Sequence, residues 1–82
     1  MPADLSKWPR KALGFTEALS AAVESFVSFP MDREFDPSRP AKNQLYERVD
    51  EISHPSREDA MQFVFSELTE AECRQICISR RE

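Results

Sequence analysis

The chain has 82 residues, 40% of them hydrophobic and 32% charged, with a formal net charge of -4. Six Phe, one Trp and one Tyr give enough apolar bulk for one small soluble domain with a modest core, which excludes general disorder. A sequence pI of about 5.0 argues against broad nucleic-acid binding, which needs clustered Lys and Arg.

The N-terminus begins with Met1 but lacks a signal-peptide core, because Asp4, Ser6, Lys7, Pro9 and Arg10 interrupt it. No apolar run approaches the ~20 residues that span a bilayer. Two cysteines in one short segment do not make a secreted disulfide framework, so a reducing cytoplasm is the expected compartment. Residues 1–82 are expected to form a single complete helical domain.

Residues 1–14 read as a basic arm. Lys7, Arg10 and Lys11 against Asp4 leave the first fifteen residues at +2, while residues 16–69 hold the negative excess. A short helical turn over Pro9 to Leu13 is expected, with Pro9 at its first position, Gly14 just past its end and Trp8 as an apolar anchor before it. From Thr16 to Phe29 the period is helical. Phe15, Ala18, Leu19, Ala22, Val23 and Phe26 share one face, Thr16 suits the cap, and Pro30 stops the helix.

Residues 30–40 contain three prolines and predict an irregular connection, a length of loop that is often functional or mobile. Helix returns over Ala41 to Ser53, with Leu45, Val49 and Ile52 inward and Tyr46 bordering the stripe. His54-Pro55 ends it. Ser56 and Asp59 resemble a capping box opening a helix over Arg57 to Leu68, whose apolar face is Met61, Val64, Phe65 and Leu68, widened by Ala60 and Phe63. Thr69 and Glu72 form a regular capping box for a last helix with Cys73, Ile76 and Cys77 inward, either separate or continuous with a kink. Arg80 and Arg81 suit the negative end of its dipole. No period-2 strand pattern or Asn-Gly hairpin signal occurs. The fold class is all-α: an irregular three- to four-helix bundle with a proline-rich connecting loop, the middle helix sandwiched by the first helix and the C-terminal pair.

Catalytic and metal constellations are thin. Cys73 and Cys77 share a helix face and could supply two ligands or a redox pair, but zinc needs four ligands and His54 is the only other strong donor. Two small buried core residues are the preferred reading, and no metal or cofactor is expected. His54 stands at a helix end without a nucleophile motif around it, so contact with the last carbonyls is expected rather than catalysis. Asp32, Glu34 and Asp36 alternate in the loop, but a calcium site lacks its glycine and its bidentate glutamate.

The residues best placed to meet a partner are Met31, Phe35, Asp32, Glu34 and Asp36 in the loop, Trp8 in the arm, and the acidic pair Asp50-Glu51; Glu58-Asp59 is a similar pair. Phe35 and Met31 either lid the core or project as an aromatic contact patch. The arm could grip a nucleic acid through Trp8 and its cations, or lie across an acidic domain surface with Trp8 buried. The expected function is a non-catalytic, protein-binding module: a small acidic inhibitor, adaptor or regulatory protein that occupies a partner's surface. Small acidic inhibitors carried by phages and plasmids offer the class analogy. The alternatives are a homodimerisation module and a metal or redox protein built on Cys73 and Cys77.

Overall fold

The computed structural model describes residues 5–28 and 35–79, and among these every regular element is helical. Two short 3-10 helices, Leu5–Lys7 and Arg10–Phe15, lead into α1 (Thr16–Ser28). Then come α2 (Ala41–Glu51), α3 (Arg57–Ser66) and α4 (Glu70–Ile78). No described helix is long and apolar enough to cross a membrane.

The arrangement is the expected bundle with α2 at its centre, since α1, α3 and α4 all pack principally on it. Its apolar stripe Ala41, Leu45 and Val49 is fully buried. Against it lie Ala18, Leu19, Ala22, Val23 and Phe26 of α1, Ala60, Phe63 and Val64 of α3, and Cys73, Ile76 and Cys77 of α4. These positions follow the i, i+3/i+4 spacing that places side chains on one helical face. Phe15 closes the lower edge by stacking on Phe63, with centroids 4.5 Å apart.

The helix ends differ from expectation in instructive ways. Gly14 does not terminate the first turn. The 3-10 helix runs through it and passes straight into α1, with ordinary negative φ and no left-handed residue. Thr16 does not cap either, since its hydroxyl donates back to the Leu13 carbonyl at 2.7 Å. Ser56 makes no side-chain capping bond, so the Ser56/Asp59 box does not form; the turn is held instead by the Arg57 N–H donating to the His54 carbonyl. α2 stops at Glu51 because Ile52 is already extended, two residues before the restriction that Pro55 imposes on His54. α3 ends at Ser66, where the N–H groups of Glu67 and Leu68 both donate to the Phe63 carbonyl and turn Leu68 into the core. The break makes α4 a separate helix. Its box is fully formed: the Glu72 N–H donates to Thr69 Oγ1 at 3.2 Å, and the Thr69 N–H to Glu72 Oε1 at 2.9 Å. Arg80 and Arg81 lie outside the described residues.

Three polar fasteners tie these elements together. Lys11 donates to the Glu67 carbonyl at 2.7 Å and meets the Glu72 carboxylate at 3.0 Å, which pins the N-terminal arm on the α3–α4 turn. Glu70 accepts from the N–H groups of Ala41 and Lys42, so a carboxylate on α4 caps the N-terminus of α2. Gln44 is 5% exposed and binds the turn before α2. Its amide donates to the Asp36, Arg39 and Pro40 carbonyls, and its oxygen accepts from the Asp36 N–H at 2.9 Å.

A candidate protein-docking face

The structure separates the residues expected to meet a partner. Met31, Asp32 and Glu34 lie outside the described residues. Phe35 is half-buried against the core, edge-to-face with Phe26 at 6.2 Å, and the Arg74 guanidinium stands 5.7 Å from its ring centre. Phe35 thus takes the lid position of the two that were open. Asp36 folds inward on its own turn, accepting from the Ser38 hydroxyl at 2.7 Å and the Ser38 N–H at 2.9 Å. Those bonds, the hydroxyl first, hold its carboxyl below the usual range. Trp8 is buried at 6% exposure, and its indole Nε1 has no hydrogen-bond partner. The arm lies across the α3–α4 turn, as Lys11 shows.

His54 does not make the contact with the last carbonyls of α2 that its position predicted. Its Nδ1 accepts from the Ser56 N–H at 3.1 Å, and its Nε2 lies 3.6 Å from the Glu17 carboxylate on α1. The ring is turned forward by the Pro55 bend, which places the following amide within reach. Cys73 and Cys77 are unpaired and buried in the core. Burial pushes the Cys73 thiol up to about 11 and the Cys77 thiol up to about 12, so both stay protonated and unreactive at neutral pH. Among the described residues no three His, Cys, Asp or Glu side chains converge as a metal site would need.

What the sequence did not single out is an exposed aromatic pair on the seam of α2 and α3. Tyr46 is 37% exposed and Phe65 is 68% exposed. They meet edge-to-face, with centroids 6.3 Å apart and planes at 63°. Leu13 and Ile78 are also exposed, and scattered apolar residues are normal on a surface. A shallow cavity opens on each side of the aromatic ridge. One, about 350 Å³, is floored by Tyr46 and Phe65 between Lys42 and Glu47. The other, about 270 Å³, is lined by the same two rings with Asp50, Arg57, Glu58 and Met61. Of the residues expected to contact a partner, Asp50 therefore lines this face. Glu51 follows it on α2 and is engaged by Arg48 at 3.4 Å.

The helical periods explain why the pair is exposed. On α3 the core uses Ala60, Phe63 and Val64, which leaves Met61 and Phe65, four residues apart, as a second stripe on the flank. On α2 the core uses Ala41, Gln44, Leu45 and Val49, so Lys42, Tyr46 and Asp50 form the matching flank. Lys42 steadies the seam by donating from Nζ to the Phe65 carbonyl at 3.0 Å. A cation at the end of α3 also satisfies one of the carbonyls that a helix leaves unpaired. The signal in the sequence was the density of apolar residues in α3: Ala60, Met61, Phe63, Val64 and Phe65 are more than one buried arc can hold.

A wider concavity of about 750 Å³ runs along α4 beside Ser6, Lys7 and Ile78. It holds one exposed large apolar side chain, against two on the α2–α3 seam. Comparison with known protein families, curated proteins and solved structures finds no match to this chain.

Proposed function

We propose that the protein is a non-catalytic binding module that acts by occupying a partner protein's surface through the α2–α3 face. The observation that carries this reading is the Tyr46–Phe65 pair. A phenylalanine at 68% exposure, in ring contact with a second exposed aromatic, contributes little to the core. Aromatic side chains flanked by charged residues are the usual anchors of protein interfaces. The Lys42–Phe65 hydrogen bond supports the same reading, because it ties α2 to α3 beneath the ridge and a pinned seam loses little freedom when a partner docks. The two unpaired, buried thiols support a reducing compartment such as the cytoplasm.

The test is Phe65→Ser. Little of the ring is buried, so the thermal midpoint should stay close to that of the parent protein, within roughly 0.5 kcal/mol of stability. A partner captured from the native host, then purified, should bind the variant at least about tenfold more weakly. Unchanged affinity for that purified partner would remove the α2–α3 face from the function.

A further inference from the structure

The charge around the aromatic ridge selects what can sit on it. Asp50 on α2 and Glu58 on α3 are both exposed, line the smaller cavity and form no ion pair with a described residue. Arg57 is the one cation among the residues lining that cavity, so its walls carry two carboxylates against one guanidinium. In the other cavity Lys42 keeps its charge while its ammonium donates to the Phe65 carbonyl, and Glu47 is paired with Arg39 at 3.7 Å, so that cavity has no excess of either sign. A ligand docking here would meet apolar side chains in the middle and, around the smaller cavity, one more carboxylate than cations.

The backbone narrows the choice further. An extended peptide binds well where a sheet edge can accept its N–H and C=O groups, and the described residues contain no strand. A helix brings its backbone already hydrogen-bonded and needs only a groove for its apolar face. A second copy of this chain fits less well. Two-fold pairing through the same face sets each copy's Asp50 and Glu58 against the same rim on its neighbour.

The geometry points to a basic amphipathic helix of a partner protein as the occupant of the α2–α3 face. Its apolar residues, spaced three or four apart, straddle Phe65 and enter the two cavities, while flanking Lys or Arg residues face Asp50 and Glu58. This deepens the docking function proposed above and depends on it.

The probes are two labelled helical peptides of about 18 residues with the same leucine face, one with Lys and one with Glu at its polar positions. Fluorescence anisotropy near physiological salt measures their binding to the full chain. The Leu/Lys peptide should bind, and the Leu/Glu peptide should bind at least about tenfold more weakly. Phe65→Ser should weaken the Leu/Lys peptide by about tenfold, and the Asp50→Lys, Glu58→Lys double variant by a similar factor. Glu17→Lys, on α1 outside both cavities, should change binding by less than about twofold, which separates a local rim from the protein's overall acidity. Equal binding of the two peptides, or equal losses from Glu17→Lys and the double variant, overturns the basic-helix assignment. Concentration-dependent dimerisation abolished by Phe65→Ser likewise overturns it, in favour of a second copy. The docking face itself survives those results if Phe65→Ser still releases the host partner, and falls with them if it does not.

Discussion

Gln44 offers the sharpest test of how the turn before α2 is held. Gln44→Leu keeps the side chain's bulk but removes the amide that joins the Asp36 N–H and carbonyl to α2. The two shortest bonds, 2.8 Å to the Asp36 carbonyl and 2.9 Å from the Asp36 N–H, are each worth about 1 kcal/mol net. Leaving those part-buried backbone groups unpartnered adds a desolvation penalty, so the total loss should be about 2–3 kcal/mol. For a domain of this size that is roughly 10–20 °C in Tm, read from thermal and urea unfolding followed by circular dichroism. Gln44→Glu is the more discriminating variant. Its carboxylate can accept from the Asp36 N–H but cannot donate, and it would face the carbonyls of Asp36, Arg39 and Pro40. Only the protonated form can replace the amide, so the folded state should raise its pKa. Protons then bind more tightly to the folded than to the unfolded chain. The variant should be most stable below the ordinary carboxylate range and lose stability as pH rises through it. A Leu variant within about 0.5 kcal/mol of the parent would refute the reasoning, as would a Glu variant equally stable at acid and neutral pH.

Two further outcomes follow from the helix ends. The Glu70 carboxyl is held below its usual range, chiefly by the Lys42 and Ala41 N–H groups and less by Arg74; with a depressed folded pKa its contribution is complete above the unfolded value and disappears as pH falls through the folded one. Glu70→Ala should therefore cost about 1 kcal/mol at neutral pH, the low end for a capping group because the side chain is 46% exposed, and the gap to the parent should close in acid; a gap that persists there would show that the cap is not the cause. Gly14→Ala should stabilise by about 0.4–1 kcal/mol, since Gly14 has ordinary φ and an added Cβ would meet nothing within 4 Å; a fall in Tm would show that the junction into α1 needs glycine.

The bundle was legible because its signals are local and repeated. Ala18, Leu19, Ala22, Val23 and Phe26 can share a face only in a helix, and Thr69 with Glu72 marks the start of α4 by chemistry contained in four residues. The interlocks were not legible, because their partners are distant in sequence. Nothing near Ala41 announces that Glu70, 29 residues on, caps α2, and nothing near Lys11 points to the Glu67 carbonyl. Gln44 carries no local signal for burial, because a glutamine is buried only where a turn happens to present its backbone. Ser56 and Gly14 failed for the opposite reason: the residue type fitted a local motif, but the turn geometry around it satisfied the same backbone groups another way. At the candidate site, Asp50 was singled out for its charge alone. Phe65 was absorbed into a core stripe and Tyr46 was placed at the border of one, since periodicity marks a side chain as apolar without saying which edge of the stripe the neighbouring helix leaves uncovered.

That distinction between core and edge also bears on why the exposed seam is stiff. Lys42 is held at two points: its N–H by Glu70, which also accepts from the Ala41 N–H, and its ammonium by the Phe65 carbonyl. One residue therefore joins the N-terminus of α2, the C-terminal turn of α3 and the first turn of α4, and Tyr46 stands one helical turn further along the same flank of α2. Phe65 is set by its own backbone's tie to Lys42 and by ring contact with Tyr46, not by burial. An aromatic so exposed would usually be free to sample several rotamers; here the Tyr46 ring stands beside it and Lys42 holds the backbone beneath it. Pre-ordering of this kind reduces what docking must spend on entropy, and it does so at the one place on the described surface where two large apolar rings are left in water together. The fold thus places a cross-helix bond beneath a face that its core does not need.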